Sequence, residues 1–134
     1  MTPSDDLAAL RAALLQLHGA VVEHERVAYE GLYGRVSAGE LLQLTISGSW
    51  FAWLRPLSEL VVRIDEALAA DDPPGGTEAG ELAGAARAVV SPQDAPGALG
   101  RRYAAALQEA PDVVLAHGRV RAALEAWPAE RDPG

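Results

Sequence analysis

The chain has no cysteine, no lysine and no asparagine, and only seven aromatic residues among its 134. Without cysteine there is no disulfide, no thiolate nucleophile and no cysteine-ligated zinc or iron–sulfur centre. Without lysine there is no Schiff-base chemistry and no phosphate-binding P-loop lysine. Basic charge is scarce: the net charge is −8 and the sequence pI about 4.7. Nucleic acid is therefore an unlikely partner, because phosphate binding needs a basic surface. Residues 1–72 carry eleven acids against five Arg and residues 73–134 eight against six, so neither half is basic. No run of 18 apolar residues could span a bilayer. The polar, acidic start from Met1 to Asp6 is not a signal peptide. The expectation is a cytoplasmic protein with no membrane contact.

What is present favours helix. The length is that of one domain, 1–134, with a frayed tail over 128–134. Alanine supplies much of the 49% hydrophobic content, with Leu, Arg and Glu beside it. Strand-favouring β-branched and aromatic residues are sparse. The fold class expected is all-α: a single-domain bundle of five or six helices with a long N-terminal helix.

That first helix starts at Ser4 as N-cap, with Asp5 and Asp6 in its first turn. Leu7, Leu10, Leu14, Leu17, Val21, His24 and Ala28 repeat at 3,4 spacing, ending near Gly31 to Gly34. A helix of roughly 28 residues would be about 42 Å long. Leu15, Val22 and Tyr29 form a second stripe. One stripe can face a core; the other needs a partner or a covering helix, which predicts a homodimer through this helix.

Ser37 and Glu40 match a capping box and open a short helix to about Ser47, which Gly48 breaks. Trp50 to Leu68, WFAWLRPLSELVVRIDEAL, concentrates two Trp and the only Phe. Leu54, Leu57, Val61, Ile64 and Leu68 repeat at helical spacing. Pro56 interrupts them, which predicts a short turn over 49–54 and then a helix with Pro56 in its first turn. Arg55, Glu59 and Arg63 form a surface ion ladder at i, i+4, i+8. Asp71 to Gly76 breaks the chain. Three further helices follow: one capped by Thr77, one opened by Asp94 to Pro96, and one capped by Asp112. Their inward positions are Leu82, Ala86 and Val89; Leu99, Tyr103 and Leu107; and Val113, His117, Val120, Leu124 and Trp127.

Leu41-Leu42-Gln43-Leu44, then Phe51-Ala-Trp-Leu-Arg-Pro-Leu-Ser58 and Ile64-Asp65, resemble the signature of a family of small bacterial helical proteins that pair LLQL with FAWLRPLS and an ID. Asp112-Val-Val-Leu-Ala-His117 extends the resemblance, which covers about half the chain. It implies a compact helical bacterial protein and carries over no catalytic residue. A likeness to DinB-like metal-binding bundles is one of fold alone, since the His positions here do not reproduce their three convergent ligands.

Chemistry-bearing residues are few. His24 and His117 fall on two apolar seams, where their imidazoles could converge with Glu23, Glu25 or Glu30 in a bundle metal site. Against this, no Glu-x-x-His motif occurs, and His18 and His24 lie on different faces. A core or interface histidine satisfied by one hydrogen bond explains each better. The expectation is no metal and no cofactor. Asp65, at the end of an apolar stripe, suits an ion pair with an Arg of another helix. Trp50 and Trp53 suit either a core or a binding surface. Two readings of function follow. The first is a non-enzymatic helical protein acting by self-association or by binding another protein. The alternative is a small enzyme or ligand-binding bundle with a site near Trp50–Arg55 and His117.

Overall fold

The computed structural model describes residues 2–93, 95 and 97–128. Asp94 and Pro96, expected to open the fifth helix, and 129–134, most of the expected tail, lie outside the described residues. Six α-helices and no strand are found among those described: α1 (Pro3–Tyr33), α2 (Ala38–Ser47), α3 (Arg55–Ala69), α4 (Gly76–Val89), α5 (Gly97–Glu109) and α6 (Pro111–Glu125). A single 3₁₀ turn, Ala52–Leu54, precedes α3.

Local chemistry sets most boundaries. α1 is capped by Thr2 rather than Ser4: the Thr2 hydroxyl accepts from Asp5 N–H and Asp5 accepts from Thr2 N–H, both at 3.1 Å. Pro3 fills the first helical position, where no amide hydrogen is needed, so the cap falls before it. The same rule moves the start of α6. Pro111 is its first residue, Ala110 its N-cap, and Asp112 sits in the first turn instead of capping. Gly75, not Thr77, precedes α4. The Ser37–Glu40 capping box forms as expected. Gly34 ends α1 at φ +88°, a conformation costly for any residue with a Cβ. Pro56 lies in the first turn of α3.

α1 is the spine. It packs against α6, α3 and α4, while α5 leans on α6 and on the 3₁₀ turn. Its fully buried apolar face runs Leu7, Leu10, Leu14, Leu17 and Val21. Phe51, Leu54, Leu60 and Ile64 meet it from the turn and α3, and Val113 and Val120 from α6. The next buried position after Val21 is Glu25, not His24, and Ala28 is exposed. A straight α-helix drifts about 20° per heptad against a 3.5 repeat, so the inward face slips by one residue over this length. On α3 the buried face instead takes in Ala67, three residues after Ile64, and leaves Leu68 half-buried. At the C-cap of α4 and within α5, Val90 and Ala106 are buried while Val89 and Leu107 are only half-buried.

Backbones approach closely at the start of α5. A Cβ on Gly100 would lie 2.6 Å from the Ala95 carbonyl oxygen and 2.7 Å from that of Pro92. Only glycine fits there without moving the backbone.

The second α1 stripe is covered within the chain. Val22 packs on the core, and Tyr29 meets Trp50 edge-on at 5.6 Å. Leu15 alone stays largely open, at 39% exposure. The stripe therefore does not require a partner, which removes the argument that placed a dimer interface on it.

Candidate functional site

Where α1 passes Val21, its buried face meets a carboxylate. Glu25 is 5% exposed and is the one buried charged residue among those described. A carboxylate in that setting is costly unless paired and hydrogen-bonded. The partner comes from α5: Arg102 Nη2 donates to Glu25 Oε2 at 3.0 Å. The guanidinium carbon lies 5.5 Å from the ring centroid of Trp50 and 5.8 Å from that of Trp53. Both distances are within reach of a cation–π contact.

The Ser49–Leu54 turn makes this corner. Ala52 N–H donates to Ser49 and Leu54 N–H to Phe51. Phe51 and Trp53 turn into the core while Trp50 stays half-buried toward the end of α1. There Tyr29 and Tyr33 meet Trp50 at 5.6 and 6.2 Å, both edge-to-face. The indole N–H groups of Trp50 and Trp53 are buried without an acceptor, so these rings supply faces and not hydrogen bonds.

The histidines are also tied down by other helices, and two of them by α5. His24 Nε2 lies 3.2 Å from Glu109. His117 Nδ1 lies 2.5 Å from the Tyr103 hydroxyl. Burial holds the His117 pKa below its usual value, with Arg121 adding to the effect, and burial raises that of Tyr103. At neutral pH the imidazole is thus neutral, and the phenol and Nδ1 share one hydrogen bond. The two imidazoles do not converge; each is spent on a different α5 side chain. Among the described residues no group of three or more His, Asp or Glu side chains is placed to hold a metal ion.

The remaining candidates scatter. Asp65 pairs with Arg11 of α1, as its position suggested. Arg55 is exposed at the start of α3, and among the described residues no ion pair joins Glu59 to Arg55 or to Arg63, so the expected ladder does not form. His18 Nε2 and Ser58 Oγ are 2.9 Å apart, a nucleophile–base spacing, but no described carboxylate orients the imidazole. The pair ties α1 to α3. The enclosed space between Trp53, Leu17, Val21 and Tyr103 is only about 10 Å³, room for one water at most. Sequence reasoning brought Trp50 and Trp53 to one place and missed Arg102, which supplies the charge. Its signal was faint: an Arg pair, Arg101-Arg102, just before an inward Tyr103.

Both His18 and His117 have pKa values lowered by burial. A depressed folded pKa means the unfolded chain binds protons first as pH falls. This contribution is complete above the unfolded value of about 6.5 and is lost as pH falls below it through the folded values. The stability read from urea unfolding is expected to fall between about pH 7.5 and 5, by well under a full proton's worth for each histidine because both rings are part-exposed and solvent screens them. The double variant His18→Gln/His117→Gln should flatten the profile. An unchanged slope in that variant would contradict the assignment.

Comparison with known protein families, curated proteins and solved structures finds no match to this chain.

Proposed function

We propose that this is a helical interaction protein that works by self-association, through the surface formed by α2 and the end of α1. The observation that carries the reading is the state of α2. It bears Leu41, Leu42, Leu44 and Ile46, yet none of its residues is buried. Leu42 and Ile46, one turn apart, are 58% and 60% exposed. Leu32 and Tyr33 at the end of α1 are more exposed still. Single exposed apolar residues are ordinary, but here four large ones fall within residues 32–46.

Covering an exposed Leu or Ile contributes roughly 1.5–3 kcal/mol. A two-fold axis beside α2 would let one patch serve both subunits. An open groove of about 420 Å³ lined by Tyr29, Val36, Gln43 and Leu44 flanks the helix and gives such a face relief. No described helix is long and apolar enough to cross a membrane, so a bilayer-spanning role does not account for these side chains.

Light scattering across a tenfold concentration range tests it. A dimer mass of about twice 14.0 kDa is expected. Leu42→Glu/Ile46→Glu should return it to monomer with helix content kept. A monomer throughout would refute self-association, and a dimer indifferent to both substitutions would refute the surface.

A further inference from the structure

The Glu25–Trp50–Trp53 corner has the composition of a receptor for a cation. Of the seven aromatic residues in the chain, Tyr29, Tyr33, Trp50 and Trp53 gather around it. A carboxylate that is 5% exposed forms its anionic wall. The cation that fills it, Arg102, is not a core residue: its side chain is 43% exposed. Receptor and occupant thus differ in accessibility. Glu25 and Trp53 are fixed in the core, while the guanidinium enters from the solvent side on a flexible stem.

We propose that this corner is a guanidinium site that Arg102 keeps filled, and that the arginine of a second polypeptide can take its place. Three features together suit a guanidinium, the first of them setting it apart from a primary ammonium. The ring faces attract any cation, but a planar one stacks on them best. The hydrogen bond from Arg102 Nη2 to Glu25 Oε2 at 3.0 Å requires an N–H donor, which a quaternary ammonium lacks. The buried carboxylate cannot remain unpaired, so a group that displaces Arg102 must bring its own positive charge. The net charge of −8 raises the local concentration of basic segments. Arg102, being tethered, competes at a high effective concentration, so the site stays closed to weak ligands and opens only to an arginine held nearby by other contacts.

The three tryptophans give three indole N–H cross-peaks in a ¹H–¹⁵N spectrum, so Trp50 and Trp53 are read apart from Trp127. Methylguanidinium chloride is titrated into the natural chain, into Arg102→Ala, and into Arg102→Ala/Glu25→Gln. In Arg102→Ala the Trp50 and Trp53 peaks should shift saturably while Trp127 stays still. The midpoint should be at least tenfold lower than in the natural chain, and the Glu25→Gln change should raise it at least tenfold again. Tetramethylammonium chloride at equal ionic strength should bind at least tenfold more weakly. Should Arg102→Ala be only partly folded, methylguanidinium should raise its thermal midpoint and tetramethylammonium should not, with no rescue in the double variant. Absence of both the shift and the rescue would overturn the proposal. So would equal midpoints in the natural chain and Arg102→Ala, or equal binding of tetramethylammonium. Failure here is separable from failure of self-association, since the same titration can be run in the Leu42→Glu/Ile46→Glu background.

Discussion

Phe51→Ala is expected to destabilise the protein by about 3–5 kcal/mol, lowering the thermal midpoint by roughly 10–20 °C. Phe51 is the largest fully buried side chain and the only Phe. It sits in the turn that links α2 to α3, beside Leu54 and against the α1 spine. Truncation removes the transfer free energy of the ring and leaves a cavity. The turn cannot readily collapse to fill it, because Pro56 fixes the backbone a few residues on. Leu115→Ala provides the control on the same footing. Leu115, on α6, is largely exposed and lies outside the proposed association surface, so its loss should stay within about 0.5 kcal/mol. Chemical denaturation of both variants, compared at one protein concentration, checks the pair. A loss under about 1 kcal/mol for Phe51→Ala would mean that the turn does not anchor the core.

The second large effect is asymmetric. Arg102→Ala is expected to cost about 2–4 kcal/mol, and Glu25→Gln only about 1 kcal/mol. Removing Arg102 strands a carboxylate that water barely reaches. Removing the charge of Glu25 leaves an amide oxygen that still accepts from Arg102, whose own head can turn to solvent. The figure for Arg102 falls below the usual range for breaking a buried pair because one partner is part-exposed. The double variant Glu25→Leu/Arg102→Met should recover most of the loss, since an apolar pair of similar volume avoids desolvation altogether. Urea unfolding of the set checks this. If Glu25→Gln cost as much as Arg102→Ala, the burial asymmetry would not govern the pair.

The two effects differ in how far they could be read from the chain alone. Phe51 was recognisable as an anchor because aromatics are so few and so clustered around it. The Glu25–Arg102 pair was not recognisable, because its members lie 77 residues apart and neither belongs to a motif. The second α1 stripe shows the limit most plainly. Leu15, Val22 and Tyr29 read as a surface in want of a partner, yet Trp50, brought back by the turn at Ser49, covers Tyr29.

The amino-acid sequence by itself determined the helical class, the breaks at Gly34, Gly48 and the Asp71–Gly76 segment, the capping box at Ser37, the place of Pro56, and most of the inward faces of α3 and α6, but only part of those of α4 and α5. These are properties of neighbouring residues: propensity, capping and a 3.6-residue period act within a few turns. Tertiary structure decided which residue closed each seam and which side chains met. Over the 31 residues of α1 the inward face drifts off a strict heptad, so Glu25 rather than His24 is buried. The docking of α5 then decided the partners, handing Arg102 to Glu25, Tyr103 to His117 and Glu109 to His24. Local periodicity carries the facing of a helix but not the identity of its neighbour, and a site built across three elements depends on the neighbour.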